Sequence, residues 1–311
     1  MQKRVLIVDK MHDSLSELLL QAGFTPDYQP LITRSEILRI ISSYQVIVIR
    51  SKTPVDRELI DKATSLQVVA RAGSGTDQID TDLLSQRGIQ LITAPEGNCD
   101  AVAEHALGML LALMNKMLLA DRLVRQKIWQ REAHRGYELM GKTVGIIGYG
   151  HTGRAFARRL SGFGCLVLAY DKYKTGFSDA FTREASLSDL LQHADVLSLH
   201  IPLTWETRGW INEDFLDQFA KPIWLINTSR GEIVPFIALR RGLQKGKLLG
   251  ACLDVLEQES LERLTAEQAV DFEWLAAQPN VIFTPHVAGW THESYQRINR
   301  VLVDKLTRLM A

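Results

Sequence analysis

The chain has 311 residues, 46% hydrophobic and 23% charged, a composition typical of a globular protein with enough apolar surface for two domains. Its 36 Lys and Arg residues balance its 36 Asp and Glu residues, so no global charge favours a nucleic-acid or anionic-membrane partner. Cys99, Cys165 and Cys252 are too few and too scattered for a disulfide framework or a zinc site, and no metal is expected. The N-terminus lacks a signal-peptide core, and the most hydrophobic stretch, residues 106–114, is shorter than the roughly 20 residues of a membrane span. A cytoplasmic location is therefore expected.

The first part of the chain alternates strand-like and helical patterns, which predicts a parallel sheet covered by helices. Strands are expected at RVLIVD, QVIVIRS, LQVVARAG and IQLITA, with helices near residues 13–22, 33–42, 56–63 and 80–87. Asp13 offers a helix start, and Thr33 with Glu36 has the spacing of a capping box.

A long helix is predicted from about Asp100 to Lys127, with apolar positions on most of its circumference. Such a helix would pack between two domains or form a subunit interface, and the residues alone favour neither. From Lys142 a second series of strands follows, at KTVGIIG, CLVLAYD, DVLSLHI, IWLINTS, LLGACLD and NVIFTP. Helices are expected at about 229–245, 260–277 and 292–310.

The stretch VGIIGYGHTG, residues 144–153, has the spacing of a dinucleotide-binding turn. Gly148 would make the tight turn, Gly150 would let backbone N–H groups approach a pyrophosphate, and Gly153 would let helix and strand pack closely. Asp171, eighteen residues after Gly153, ends the next strand and suits the ribose hydroxyls of NAD better than a 2′-phosphate. Lys172 and Lys174 weaken that preference, and a glycine-rich turn without a ligand is the alternative.

Three charged residues follow strands of the second series, where the catalytic groups of open α/β sheets lie. Arg230 follows IWLINTS, Glu259 follows LLGACLDV and His286 follows NVIFTP. An arginine after a strand is more often a surface charge, and Glu259 belongs to the acidic stretch LEQESLE, which is typical of a solvated helix start. His200 and His105 compete with His286 as the acid–base histidine.

The loop ARAGSGTDQID of the first part could turn the N–H groups of Gly73, Ser74 and Gly75 toward a carboxylate. Arg50 and Lys52 end another strand on the same predicted edge. An ordinary glycine turn beside a surface basic pair is the other interpretation.

The chain resembles the D-2-hydroxyacid dehydrogenase family, and most closely its phosphoglycerate dehydrogenase branch. The resemblance extends over essentially the whole chain through RSKTPV, ARAGSGTDQID, PEGNCDAVAEHALGMLL, GKTVGIIGYGHTG, HIPLTWET, INTSRGEIV, GACLDVLEQE and TPHVAGWTHES. It implies an α/β fold of two doubly wound parallel-sheet domains, with a Rossmann-type cofactor domain inserted into a flavodoxin-like substrate domain. The implied segments are 1–97 and 286–311 for the substrate domain and 98–285 for the NAD-binding domain.

The resemblance also implies a reversible hydride transfer between NAD(H) and C2 of a 2-hydroxy or 2-keto acid. His286 would exchange the proton, Glu259 would orient His286 and pair with its charged form, and Arg230 would hold the substrate. Matching positions imply NAD contacts at Gly148, Gly150, His151, Thr152, Gly153, Asp171, His200, Pro202, Thr207, Thr228, Asp254 and Gly289. They imply substrate contacts at Arg50, Lys52, Arg71, Ser74, Gly75 and Asn98. A homodimer through the cofactor domain is expected.

Two departures from the family pattern matter. The residue after Glu259 is Ser260 where the family usually has proline, which puts the rigidity of that loop in doubt. The chain also ends at Ala311, without the C-terminal domain through which some phosphoglycerate dehydrogenases sense serine, so no serine feedback by that route is expected.

The expected substrate pair is 3-phosphoglycerate and 3-phosphohydroxypyruvate of serine biosynthesis, an expectation that depends mainly on Arg50 and Lys52. A hydroxypyruvate or glyoxylate reductase is the alternative, because such enzymes share the other motifs. A non-catalytic, NAD(H)-sensing protein similar to corepressors of this fold is the alternative from another class.

Overall fold

The structure, a computed structural model, describes residues 3–310. The chain divides into two compact units. The first unit contains the described residues up to Cys99 and those from Trp290 onward, and the second is Asp100–Gly289. The domain boundaries expected from the sequence lie after residue 97 and after residue 285.

The described part of the first unit contains a five-stranded parallel sheet in the order β2-β1-β3-β4-β5. Its strands are β1 (Lys3–Ile7), β2 (Phe24–Tyr28), β3 (Val46–Ile49), β4 (Val68–Arg71) and β5 (Gln90–Thr93). Its helices are α1 (Ser14–Gln21), α2 (Arg34–Ile40), α3 (Arg57–Lys62), α4 (Thr81–Gln86) and the C-terminal α12 (His292–Met310). This strand order is the flavodoxin-like one.

Successive residues of each strand point to opposite faces of the sheet in the first unit, and apolar residues are buried on both faces. Leu6 and Ile47 belong to one buried cluster, and Val5 and Ile7 belong to the other. The second cluster includes Ile298, Leu302 and Leu306 of α12, so the C-terminal helix completes the core that the N-terminal strands begin.

The second unit, residues 100–289, contains a seven-stranded parallel sheet in the order β12-β11-β10-β9-β6-β7-β8. The strands are β6 (Thr143–Ile147), β7 (Leu166–Tyr170), β8 (Arg183–Glu184), β9 (Val196–Leu199), β10 (Ile223–Asn227), β11 (Leu248–Leu253) and β12 (Val281–Phe283). The helices are α5 (Pro95–Met114, which includes the unit boundary), α6 (Met117–Arg125), α7 (His151–Leu160), α8 (Leu187–His193), α9 (Glu213–Asp217), α10 (Phe236–Gln244) and α11 (Ala266–Ala276). The interior strand β6 with α7 after it is a Rossmann arrangement, so the predicted fold class is confirmed.

Four details of the predicted elements are wrong, one of them being that the two-residue edge strand β8 was not predicted. Strand β2 was not predicted because it contains Pro26. The proline is tolerated because β2 is an edge strand. The single helix predicted from Asp100 to Lys127 is instead α5 and α6, separated at Asn115 and Lys116, where Lys116 has a positive φ of 53°. The helix predicted from residue 229 begins only at Phe236, because Pro235 suits the position just before a first turn.

Both sheets present their carboxyl ends to the loops that carry the predicted site residues. In the first unit these loops follow β1, β3 and β4 and contain Asp9, Arg50 and Gly73. In the second unit they follow β6, β7, β9, β10, β11 and β12. Ligands of open α/β sheets bind at this edge. Within the described chain, no helix is long and apolar enough to cross a membrane.

Candidate active site

The glycine turn between β6 and α7 has the geometry of a nucleotide-binding turn. Gly148 has φ of +93°, and its N–H donates to the Tyr170 carbonyl at 2.8 Å. A side chain at Gly153 would collide with the Gly148 carbonyl oxygen, so strand and helix need a glycine there. At Gly150, by contrast, φ is −85° and a Cβ would meet no atom of residues 3–310 within 4 Å. The protein's own packing does not require glycine at 150, whereas a phosphate approaching the helix N-terminus would.

Asp171 lies directly after β7 and is held by backbone donors. Its carboxylate accepts from the N–H groups of Tyr149 at 2.8 Å, Tyr173 at 3.0 Å and Lys174 at 3.1 Å. The two neighbouring lysines are engaged elsewhere: Lys172 pairs with Glu206 at 2.6 Å, and the Lys174 ammonium donates to the Tyr149 carbonyl at 3.1 Å. The basic residues that weakened the choice of NAD therefore have partners other than a 2′-phosphate.

Two other predicted cofactor residues, His200 and Thr228, have buried polar atoms that lack a hydrogen-bond partner within residues 3–310. These atoms are His200 Nδ1 and Thr228 Oγ1. The His200 Nε2 atom lies 2.8 Å from Ser198 Oγ, and burial lowers the pKa of His200 to about 3, so this imidazole is neutral near pH 7. Unpartnered polar atoms fit a dinucleotide that would supply the missing contacts.

The remaining predicted cofactor residues lie on the same edge. His151 and Thr152 form the first turn of α7, and Thr207 closes the loop after β9 by donating to the Pro202 carbonyl at 2.7 Å. Gly289 is the last residue of the second unit.

His286 and Glu259 come together as a hydrogen-bonded pair beyond the ends of β12 and β11. His286 Nδ1 lies 2.8 Å from Glu259 Oε1, and both side chains are about half exposed. The contact at Nδ1 leaves Nε2 to exchange a proton with a ligand. His286 has a φ of +55°, which is uncommon for a residue other than glycine and is typical of functional sites. Of the three competing histidines, His286 is the one with an observed carboxylate at Nδ1 and a half-exposed ring, whereas His105 contacts the Thr284 hydroxyl and His200 contacts the Ser198 hydroxyl.

Asp254 is the residue that holds the His286 loop, and the sequence did not reveal this role. Its side chain is 1% exposed, and its carboxylate accepts from the N–H groups of Val287 and Ala288, both at 2.9 Å, and from the Thr284 hydroxyl at 2.5 Å. His105 Nε2 lies 3.0 Å from the same hydroxyl, which places His105 behind the site. The Asp254 main-chain carbonyl accepts from the His286 N–H at 2.8 Å. Asp254 was predicted as an NAD contact, and the structure surrounds both its oxygens with protein donors.

Arg230 follows β10 on a loop that packs against the Glu259 loop. The buried Asn227 donates to the Arg230 carbonyl at 2.9 Å, and Arg230 Nη1 donates to the Ser229 carbonyl at 2.6 Å. A side chain at Gly231 would collide with the Leu256 carbonyl, so the glycine allows the two loops to touch. Arg230, Glu259 and His286 thus belong to adjacent loops of one sheet edge.

The loop that carries Ser260 in place of proline is fixed by hydrogen bonds. The Ser260 N–H, which a proline would lack, donates to Gln258 Oε1 at 3.0 Å, and its carbonyl accepts from the Arg263 N–H at 2.8 Å. Glu257 accepts from the Phe236 N–H at 2.6 Å and from the Gln268 amide at 3.0 Å. Local hydrogen bonds therefore hold this loop although it lacks the proline that is usual in the family.

The predicted substrate residues of the first unit differ in how many of their hydrogen-bond donors already bond to the protein. The Lys52 ammonium donates to the carbonyls of Pro30 and Ile32, at 2.9 and 3.1 Å. Arg71 Nη1 donates to the Ala72 carbonyl at 2.9 Å, and its guanidinium occupies the space that a side chain at Gly73 would need.

The predicted anion nest is only partly available. The Gly73 N–H donates to the Arg71 carbonyl at 2.9 Å. Within the described residues 3–310, the N–H groups of Ser74 and Gly75 have no protein acceptor. Asn98 lies in the first turn of α5 and is partly exposed. Ser74 and Gly75 are thus the members of this loop that can still bind an acid.

Comparison with known proteins gives consistent matches. Residues 107–288 match the family model "D-isomer specific 2-hydroxyacid dehydrogenase, NAD binding domain". The chain is 32% identical over 98% of its length to the D-3-phosphoglycerate dehydrogenase of Archaeoglobus fulgidus, of which it covers 57%. It is 31% identical to the hydroxypyruvate reductase of Thermotoga maritima, and the match covers 97% of both chains.

Among solved structures, the D-lactate dehydrogenase of Aquifex aeolicus, complexed with NAD and lactic acid, superposes with a TM-score of 0.83 at 28% identity. That match covers 99% of this chain and 95% of the other. The chain spans little more than half the length of the phosphoglycerate dehydrogenases it matches, 57% and 54% for the Archaeoglobus fulgidus and Bacillus subtilis proteins.

Proposed function

The chain belongs to the D-isomer specific 2-hydroxyacid dehydrogenase family, and we propose that it transfers a hydride reversibly between NAD(H) and C2 of a 2-hydroxy or 2-keto acid. The observation that carries this proposal is the His286–Glu259 pair, at 2.8 Å, on the same sheet edge as the glycine turn. A proton-exchanging imidazole beside a nucleotide site is the minimum that carbonyl reduction requires.

The residues present fit NAD, since Gly150 is open to a phosphate and Asp171 is an acidic acceptor whose two neighbouring lysines, Lys172 and Lys174, bond other groups. Bound NADH would supply the hydride. His286 Nε2 donates the proton to the carbonyl oxygen, and Glu259 at Nδ1 stabilises the charged ring before the transfer. Arg230 is placed to bind the carboxylate and polarise the carbonyl through charge-assisted hydrogen bonds. In the oxidative direction the same groups act in reverse.

The two units would divide these tasks. The second unit would be the NAD-binding domain, and the first unit, made from both chain ends, would be the substrate domain. In the first unit, the Ser74 and Gly75 N–H groups and the cations Arg50 and Arg71 would bind the acidic groups of the substrate. Lys52 contributes less to this proposal, because two of its three ammonium donors already bond backbone carbonyls.

The proposed substrate pair is 3-phosphoglycerate and 3-phosphohydroxypyruvate. Two arginines at one sheet edge suit a substrate that carries a phosphate as well as a carboxylate. Hydroxypyruvate reduction is the second candidate, because the relative named for that activity is matched over 97% of both chains.

A homodimer is also proposed, through the α6 region of the second unit. Helix α6 has no buried residue, and apolar side chains are exposed on it and after it: Met117 by 52%, Leu118 by 59%, Val124 by 50% and Trp129 by 77%. Exposed apolar groups of this extent are typical of an interface. Sedimentation should give a dimer that Leu118→Asp converts to monomers, and a monomeric wild type would contradict the proposal.

The chain has three cysteines, Cys99, Cys165 and Cys252, too few for a disulfide framework, as is usual in a reducing compartment, and a cytoplasmic location is proposed on that basis.

The test of the activity is NADH oxidation with 3-phosphohydroxypyruvate, hydroxypyruvate, glyoxylate and pyruvate in parallel. Turnover should be fastest with the phosphorylated acid, and His286→Ala should abolish it while NADH binding is retained. NADH binding by the wild type without turnover of any keto acid would refute the proposed activity and favour an NAD(H)-sensing protein.

A further inference from the structure

Arg50 is a cation of the first unit that two aromatic side chains, Trp290 and Tyr295, hold in place. Its Cζ atom lies 3.7 Å from the centroid of the Trp290 ring and 4.5 Å from that of the Tyr295 ring. Trp290 is 58% exposed, so core packing does not explain the presence of this large apolar side chain. What the exposed ring covers is the Arg50 guanidinium.

Both sides of this contact are anchored independently. The Arg50 N–H donates to the buried carboxylate of Asp9, and the Arg50 carbonyl accepts from the Gln78 amide at 2.9 Å. On the aromatic side, the Tyr295 hydroxyl donates to the Lys10 carbonyl at 2.8 Å. The two rings also contact each other, with centroids 5.9 Å apart.

The start of α12 fixes the direction of both rings. The Thr291 N–H donates to Ser294 Oγ at 3.0 Å, and the Ser294 N–H donates to Thr291 Oγ1 at 3.1 Å. Further along α12, Asn299 Nδ2 donates to the His12 carbonyl at 3.1 Å and to Ser14 Oγ at 3.0 Å. The helix that carries Tyr295 is thereby tied to the segment after β1, the strand that pairs with β3, and Arg50 directly follows β3.

Stacking restricts a guanidinium without consuming its hydrogen-bond donors. Aromatic rings cover the face of the planar group, whereas its five N–H donors lie in the plane and are suited to bidentate contact with oxyanions. A flexible arginine would lose side-chain entropy on binding an anion, and a stacked one has lost much of it already. Burial lowers the pKa of Arg50, while its interactions with Tyr295 and Asp9 oppose that change, so it remains a cation.

We propose that Trp290 and Tyr295 are positioning residues that hold Arg50 to bind the second anionic group of the substrate, and that Trp290 thereby sets the preference for a phosphorylated over an unphosphorylated keto acid. This inference depends on the proposed function, which it extends from a reaction to a substrate class. Arg50 is the residue that touches the anion, and Trp290 acts through Arg50.

The test compares Trp290→Ala and Trp290→Phe with the wild-type enzyme. In Trp290→Ala the KM for 3-phosphohydroxypyruvate should rise roughly tenfold, the effect of losing one partly desolvated cation–π contact, with kcat nearly unchanged. The KM for hydroxypyruvate should stay within about twofold of wild type, since that substrate lacks the second anion. Trp290→Phe keeps an aromatic face and should recover most of the lost affinity.

A binding measurement separates this inference from the proposed activity. Calorimetric titration of 3-phosphoglycerate and of D-glycerate into the enzyme with NADH requires no turnover. The wild type should bind the phosphorylated acid more tightly, and Trp290→Ala should lose that difference while Trp290→Phe retains most of it. Equal binding of both acids by the wild type, or equal losses for both acids in Trp290→Ala, would overturn the role of Trp290 even in an active dehydrogenase. Absence of turnover with the binding difference intact would refute only the reaction.

Discussion

Replacing Asp254 by Asn should destabilise the protein and slow turnover, because the amide cannot accept every hydrogen bond that the carboxylate accepts. Oδ1 accepts from the Val287 N–H and Oδ2 from the Ala288 N–H, both at 2.9 Å. In either orientation of the Asn amide, its NH₂ group would face one of these backbone donors. One N–H would then lose its acceptor at a position that is 1% exposed, at a cost of about 1–3 kcal/mol.

The effect on catalysis follows from what these donors position. Val287 and Ala288 directly follow His286, whose φ of +55° is maintained by the same loop. A shift of about 1 Å in a catalytic group can cost roughly a hundredfold in rate, so kcat should fall between about 10- and 100-fold. The KM for NADH should change little if Asp254 acts by supporting the loop.

The assay combines urea unfolding with steady-state NADH oxidation. Asp271→Asn is the matched control, since Asp271 is also buried but pairs with Arg240 at 2.8 Å, within the α10–α11 pair. That variant should lose stability without a comparable loss of kcat. A large rise in the KM for NADH in Asp254→Asn, with stability and kcat retained, would refute the reasoning and make Asp254 a direct cofactor ligand.

Three other substitutions test separate features. Gly150→Ala should keep wild-type stability because its Cβ meets open space, yet it should weaken NADH binding in a fluorescence titration. Gly153→Ala should weaken NADH binding and also lose about 1–3 kcal/mol of stability. Tight NADH binding by Gly150→Ala would contradict a phosphate at this turn. Burial lowers the folded-state pKa of His200 to about 3, below its unfolded value near 6.5, so its contribution to stability is full above pH 6.5 and is lost as the pH falls toward 3. Between pH 6.5 and 5 the wild type should therefore lose about 2 kcal/mol more than His200→Gln in urea unfolding, and parallel curves would disprove the shift. Ser260→Pro should leave the melting temperature and kcat nearly unchanged. The lost hydrogen bond to Gln258 destabilises the folded protein about as much as the stiffer unfolded chain stabilises it. A large rise in kcat would show that the present loop is poorly ordered.

The sequence predicted the fold well where its signals are local. Hydrophobic runs bounded by turn residues located ten of the strands, and the Thr33–Glu36 capping box starts α2 as expected. Strand β2 was missed because Pro26 is a signal against strands, and only its edge position, a property of the assembled sheet, makes the proline acceptable. The break between α5 and α6 was missed for a similar reason, since Lys116 carries no local signal for a positive φ.

Residues of the candidate site were predictable when a motif carried them. Arg230, Glu259 and His286 each follow a strand, and strand ends of a parallel sheet share one edge, so their proximity follows from the topology. The stacking of Trp290 and Tyr295 on Arg50 could not be predicted, because it joins residues some 240 positions apart and depends on where α12 returns to the sheet. The nearest signal in the sequence was a large aromatic residue at the start of a helix near the chain end.

Asp254 shows why a motif can locate a residue without giving its task. The position follows a strand and carries a carboxylate, which from sequence suits a cofactor contact as well as it suits a support. The hydrogen-bond donors around Asp254 decide between a cofactor contact and a support. The Val287 and Ala288 N–H groups and the Thr284 hydroxyl, all in the loop after β12, donate to its carboxylate. A buried carboxylate needs such donors to satisfy its oxygen atoms, and the loop needs an acceptor for its buried N–H groups. The Asp254 carboxylate and the loop after β12 therefore satisfy each other's hydrogen-bonding groups. The geometry of His286 thus depends on a residue 32 positions earlier in the chain.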